Sequence, residues 1–134
     1  MPPIRLLVAE SNITKMRVDA IVNSANAAQI GRGGLNEVIH KAAGPRLLHA
    51  SQALRDRPPG TVKLTLGYRL PARHIIHVVV PNADGDMAER EHLLALCYRK
   101  CLSLASLRGF RTLVFPVLGS GGAASHLIAQ LPSH

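Results

Sequence analysis

The stretch AIVNSANAAQIGRGGLNEVIHKAAG, residues 20–44, decides how the rest of the chain folds. It opens with an apolar β-type run at 20–22 that breaks off in Asn23, Ser24, Ala25 and Asn26. In an open α/β sheet the end of a parallel strand is where the chain turns towards a ligand crevice, and a carboxamide placed there can donate and accept hydrogen bonds at once. Gly31, Gly33 and Gly34 follow, permitting positive φ and close backbone approach. Residues 35–43 then read as a short helix with Leu35, Val38, Ile39 and Ala42 on one face, stopped by Gly44 and Pro45. The unpaired N–H groups of that helix's first turn point back at the glycine turn, which favours a phosphate.

Working outward, residues 4–8 (IRLLV) predict a strand, and residues 10–14 (ESNIT) a turn in which Asn12 reads as an ordinary Asx-turn residue. Beyond the central stretch, 46–54 continue as a second helical segment and 55–60 (RDRPPG) as a polar loop. Residues 62–66 alternate as a half-buried strand, and 74–80 (HIIHVVV) form a buried strand ended by Pro81, in which His74 and His77 read as satisfied or strand-edge histidines. The segment 82–86 (NADGD) reads as a turn, since its aspartates lack the further oxygen ligands of a calcium loop. The longest helix is predicted at 87–107 and a fifth strand at 112–117. The run 118–124 (LGSGGAA) is a second glycine-rich segment leaving a strand end. Residues 124–130 are compatible with the start of a helix. Strands alternating with helices predict an α/β domain, its mixed, mostly parallel sheet of about five strands covered on both faces in three α/β/α layers.

At 134 residues the chain reads as a single domain spanning 1–134, and 47% hydrophobic with 18% charged residues is a folded composition. No apolar run approaches the ~20 residues that cross a bilayer, and the N-terminus carries no signal-peptide pattern, so a cytoplasmic or nuclear location is expected. Cys97 and Cys101 share a helical stripe with Leu94 and Leu104, which reads as core packing; no metal site is expected. The net charge of +8 attracts polyanions, but with no Trp, two Phe and two Tyr the stacking platforms of a single-strand binder are missing.

Four separated motifs, NSAN at 23–26, GRGGLNEVIHKAAGP at 31–45, PGTVKLTLGYRLPARHIIHVVVP at 59–81 and FPVLGSG at 115–121, resemble the macro domain family in order and approximate spacing. The resemblance covers roughly residues 4–122 and is specific because four motifs agree. It implies binding of ADP-ribose or a mono-ADP-ribosylated protein; the net charge of +8 adds poly(ADP-ribose) or nucleic acid as further polyanionic partners, and no membrane and no cofactor are expected.

Residue by residue, the resemblance implies that Asn12 and the backbone of Ile13 meet the adenine, Asn12 standing where the family has an aspartate. It implies that Asn23, Asn26, Gly33, Gly34 and Leu35 line one side of the diphosphate and distal ribose. Gly119, Ser120, Gly121, Gly122 and Ala123 would wrap the other side, without the aromatic residue the family often carries near Ala123. The candidate catalytic residues are Asn26 and Asn36. In the hydrolase branch most similar to this run an aspartate usually stands at the place of Asn36 to activate water, and an amide is no base at neutral pH. Weak or absent catalysis is therefore expected, with an ADP-ribosyl hydrolase or O-acetyl-ADP-ribose deacetylase as the alternative reading, and a basic nucleic-acid-binding module as the second. A divergent copy that folds poorly and binds nothing is a further possibility. The family's last strand, which lies between the first and fifth, is expected to be missing.

Overall fold

The computed structural model describes residues 4–9, 12–25, 34–82, 85–116 and 126–132. Its elements in chain order are β1 (Arg5–Ala9), β2 (Ala20–Ala25), α1 (Gly34–Ala43), α2 (Pro45–Ser51), β3 (Val62–Leu66), β4 (His74–Val79), α3 (Met87–Leu107), β5 (Thr112–Pro116) and β6 (His126–Gln130). Single 3-10 turns at Ile13–Lys15 and Gln52–Leu54 complete them.

Alternation along the strands makes the two faces of the sheet. Ala20, Val22, Ile76, Val78, Leu113 and Phe115 face α3, where Cys97, Cys101 and Ala105 pack on them. Ile21, Ile75 and Val114 face the other way, against Ile39 and Ala43 of α1 and Leu47 of α2. The three-layer α/β/α arrangement is the one that buries both faces of such a sheet. Both cysteines are free and buried, as the stripe on α3 implied. Asp86 accepts a hydrogen bond from the Glu89 amide at 2.9 Å and so caps α3, while residues 83–84 of the segment read as a turn lie outside the described residues.

The sheet runs β1-β6-β5-β2-β4-β3. β2 is parallel to β4 and β5, while β3 on β4, β6 on β5 and β1 on β6 are antiparallel. The α/β class therefore stands, but the sheet has six strands among the described residues, and the strand expected to be missing is present. His126–Gln130 pairs with Thr112–Pro116 on one side and with Arg5–Ala9 on the other. The run HLIAQ has no period that separates helix from strand over so few residues. The backbone rows of β1 and β5 on either side satisfy its N–H and C=O groups as a strand, and that pairing overrides the local option of a helix.

Asp19 fixes the base of the sheet. Its carboxylate accepts from the amides of Arg111 at 2.7 Å and Thr112 at 3.1 Å, and its own amide donates to the Thr112 hydroxyl at 2.9 Å. Burial pushes this carboxyl up, yet the Arg111 and Thr112 donors together with nearby Arg73 outweigh that and hold it below its ordinary value.

Candidate functional site

β2 and β5 are parallel neighbours, Ala20 lying opposite Leu113 and Ile21 opposite Val114, so their C-terminal ends lie at one edge of the sheet. The chain leaves β2 there into residues 26–33 and leaves β5 there into residues 117–125. Open α/β sheets place ligand crevices at this edge. Asn26, Gly33, Gly119, Ser120, Gly121, Gly122 and Ala123, together with Gly31, lie outside the described residues.

The described part of the site begins with Gly34, the first residue of α1, which has φ +53°, a conformation that glycine adopts without the Cβ penalty. Leu35 is half-buried against the α1–α2 side of the sheet. Asn36 then faces inwards on the stripe it shares with Ile39 and Ala43 and is itself buried. Its Oδ1 accepts from Nδ2 of Asn23 at 2.8 Å. Asn23 is fully buried and sits directly opposite His77 in the parallel pairing of β2 with β4.

The second contact of the Asn23 amide nitrogen is Nδ1 of His77, at 3.2 Å. Nε2 of His77 is 2.9 Å from the hydroxyl of Thr65, and that hydroxyl donates to the Leu66 carbonyl at 3.1 Å. Burial drives the His77 pKa down to about 3, helped by the positive charges of His40 and Lys63, so the ring is neutral. Among the described residues, Oδ1 of Asn23 has no hydrogen-bond partner. A buried acceptor left unsatisfied costs about 1–3 kcal/mol.

His40, one turn after Asn36, is half-buried; among the described residues neither ring nitrogen has a partner, and burial lowers its pKa. Its ring centroid is 6.3 Å from that of His77.

Asn12 behaves as the Asx-turn reading has it. Its Oδ1 accepts from the Thr14 amide at 3.0 Å and from the Thr14 hydroxyl at 2.6 Å, capping the Ile13–Lys15 turn. Ile13 places its side chain in the core with Ile21 and Ile39. The structure thus brings Asn23, Gly34, Leu35 and Asn36 together, and Asn12 uses its acceptor locally.

Sequence reasoning left out His77 and Thr65 as members of this site. Of the two readings of His77, satisfied or strand-edge, the structure has the first: its ring nitrogens meet Asn23 and Thr65, which are distant in sequence. Only the register of β2 against β4 reveals that pairing.

The macro domain family model matches residues 22–126. This chain belongs to the macro domain family. It is 47% identical over 117 residues to a macro domain-containing protein of Methanosarcina mazei, a match covering 87% of the chain and 63% of that relative, so the chain spans under two thirds of the relative's length. It is 42% identical to a protein of Enterobacter cloacae named O-acetyl-ADP-ribose deacetylase, covering 85% of the chain and 66% of the relative. Among solved structures it is similar to the Oceanobacillus iheyensis macrodomain with ADP, at TM-score 0.77 and 34% identity over 90% of the chain and 72% of that structure. A mutant of the same macrodomain with ADPR gives TM-score 0.76 at 39% identity over 83% of the chain and 63% of that structure.

Proposed function

We propose that this macro domain binds ADP-ribose, free or attached to a protein, in the crevice where β2 and β5 end. The observation that carries the reading is the parallel adjacency of those two strands, which sends both glycine-rich segments away from the same sheet edge. In this reading the segments around Gly33 and Gly34 and around 119–123 receive the diphosphate through backbone N–H groups. Asn26 and the buried Asn23–Asn36 pair serve the distal ribose, whose hydroxyls need both donors and acceptors. ADPR and ADP in the similar Oceanobacillus macrodomain support the ligand class.

A second reading, hydrolysis of an ADP-ribosyl group or its acetyl ester, is favoured by the enzyme name of the Enterobacter relative. Asn36 weighs against efficient catalysis, because an amide can orient a water and cannot take its proton. The basic surface adds attraction for poly(ADP-ribose) or nucleic acid without creating a pocket for either. Calorimetric titration with ADP-ribose and with AMP tests the reading: ADP-ribose is expected to bind more tightly, because its second phosphate and second ribose add contacts.

A further inference from the structure

Four polar side chains, Asn36, Asn23, His77 and Thr65, stand in a face otherwise built from Ile21, Ile75, Ile39 and Val114, and each is at most 7% exposed. An apolar face would be the more stable choice there, so the chain of contacts calls for a role. Its protons can be assigned one by one. An amide nitrogen only donates, and the two N–H groups of Asn23 go to Oδ1 of Asn36 at 2.8 Å and Nδ1 of His77 at 3.2 Å. Nδ1 of His77 is therefore unprotonated and the ring proton sits on Nε2, donated to the Thr65 hydroxyl oxygen at 2.9 Å. The Thr65 hydrogen is turned away to the Leu66 carbonyl at 3.1 Å, leaving that oxygen free to accept.

We propose that His77 and Thr65 are positioning residues, which fix the amide of Asn23 so that its nitrogen holds Asn36 and its Oδ1 remains an acceptor for a ligand hydroxyl. The assignment rests on the crevice being an ADP-ribose site, and it names what selects the ribose there. A proton on Nδ1 of His77 would face the Asn23 N–H groups. Only rotation of the amide would relieve this, setting Oδ1 of Asn23 against Oδ1 of Asn36 and turning the spare acceptor into a donor. The Thr65 hydroxyl excludes that state by taking the Nε2 proton. Burial of the ring, with a smaller electrostatic contribution from His40 and Lys63, disfavours its doubly protonated form. No bond to substrate is made by His77 or Thr65; their effect passes through Asn23 and Asn36.

The test is nitrogen NMR of the whole chain labelled in histidine, with Thr65→Val and Thr65→Ser as variants and ADP-ribose and AMP as probes. The free parent is expected to show His77 as the Nε2–H tautomer, a result that needs no variant and no ligand. Thr65→Val, similar in shape but without the hydroxyl, is expected to mix the tautomers and to lower ADP-ribose affinity about tenfold, the worth of one hydrogen bond, with AMP affinity unchanged. Thr65→Ser is expected to restore both. An Nδ1–H tautomer in the parent, or a Thr65→Val protein whose tautomer and ADP-ribose to AMP ratio match the parent, overturns the proposal. A parent that shows the Nε2–H tautomer and binds no ADP-ribose contradicts the crevice reading and supports the placement of Asn23 by His77.

Discussion

Nδ2 of Asn23 donates to Oδ1 of Asn36 across 2.8 Å, tying the end of β2 to the first turn of α1. Both residues are buried, so whatever stands at position 36 must offer an acceptor to the strand. Asn36→Asp keeps that acceptor and adds a base. It is expected to fold like the parent and to raise turnover of a mono-ADP-ribosylated protein, since a positioned base is worth on the order of 10²–10⁴ in rate. Asn36→Ala leaves a buried N–H without its partner and is expected to lose about 1–3 kcal/mol in chemical denaturation. A parent that already turns over rapidly, with Asn36→Asp adding nothing, would give the protein to the hydrolase reading.

Gly34, with φ +53° at the head of α1, is the described member of the first glycine segment. Gly34→Glu places a side chain in a conformation that favours glycine and a negative charge beside the proposed diphosphate. Calorimetry is expected to show no ADP-ribose binding by a variant whose circular dichroism still reports the α/β fold. If the folded variant titrates like the parent, the crevice lies elsewhere.

Much of the fold was legible because its signals are local. Val62–Leu66 alternates and Met87–Leu107 keeps a helical stripe through Cys97 and Cys101, so both elements fall where periodicity puts them. His126–Gln130 was not legible, since five residues carry no decisive period and the slot between β1 and β5 decides their state. The candidate site divides in the same way. Asn23, Gly34 and Asn36 belong to one continuous stretch whose strand, turn and helix pattern declares them. The contact of Asn23 with His77 joins residues 54 positions apart through a parallel register that no neighbouring residue encodes.

The turn between β3 and β4 supports Thr65 and His77, and Gly67 is its tightest point. A Cβ at Gly67 would lie 2.0 Å from the carbonyl oxygen of Ala72, a backbone atom that cannot swing away. The Gly67 amide also donates to the Arg73 carbonyl at 2.9 Å. Gly67→Ala is expected to destabilise the domain by about 1–3 kcal/mol, the range for forced overpacking, measured as a lower urea midpoint. An unchanged midpoint would show that the turn is looser than this geometry.

His77 makes stability depend on pH with a definite sign. Its folded pKa is depressed to about 3 from an ordinary 6.5, so the unfolded chain takes up a proton that the native ring refuses. Stability is full above about 6.5 and falls as pH is lowered from there towards about 3. His40, also lowered by burial, adds to the same loss, while Asp19 contributes only at more acid pH because its carboxylate is held below its ordinary value. Urea midpoints measured from pH 7 to pH 4.5 are expected to fall more steeply for the parent than for His77→Gln. Parallel curves would mean that His77 is free to titrate in the native state.

The central claim is that the crevice between the ends of β2 and β5 receives ADP-ribose, and isothermal calorimetry on the whole chain tests it most directly. Titration of ADP-ribose, AMP and ATP into the parent is expected to give one saturable site per chain, with ADP-ribose binding more tightly than either mononucleotide. Equal, salt-sensitive association with all three, or with nucleic acid that ADP-ribose fails to displace, would contradict the account and leave the basic surface as the binding determinant.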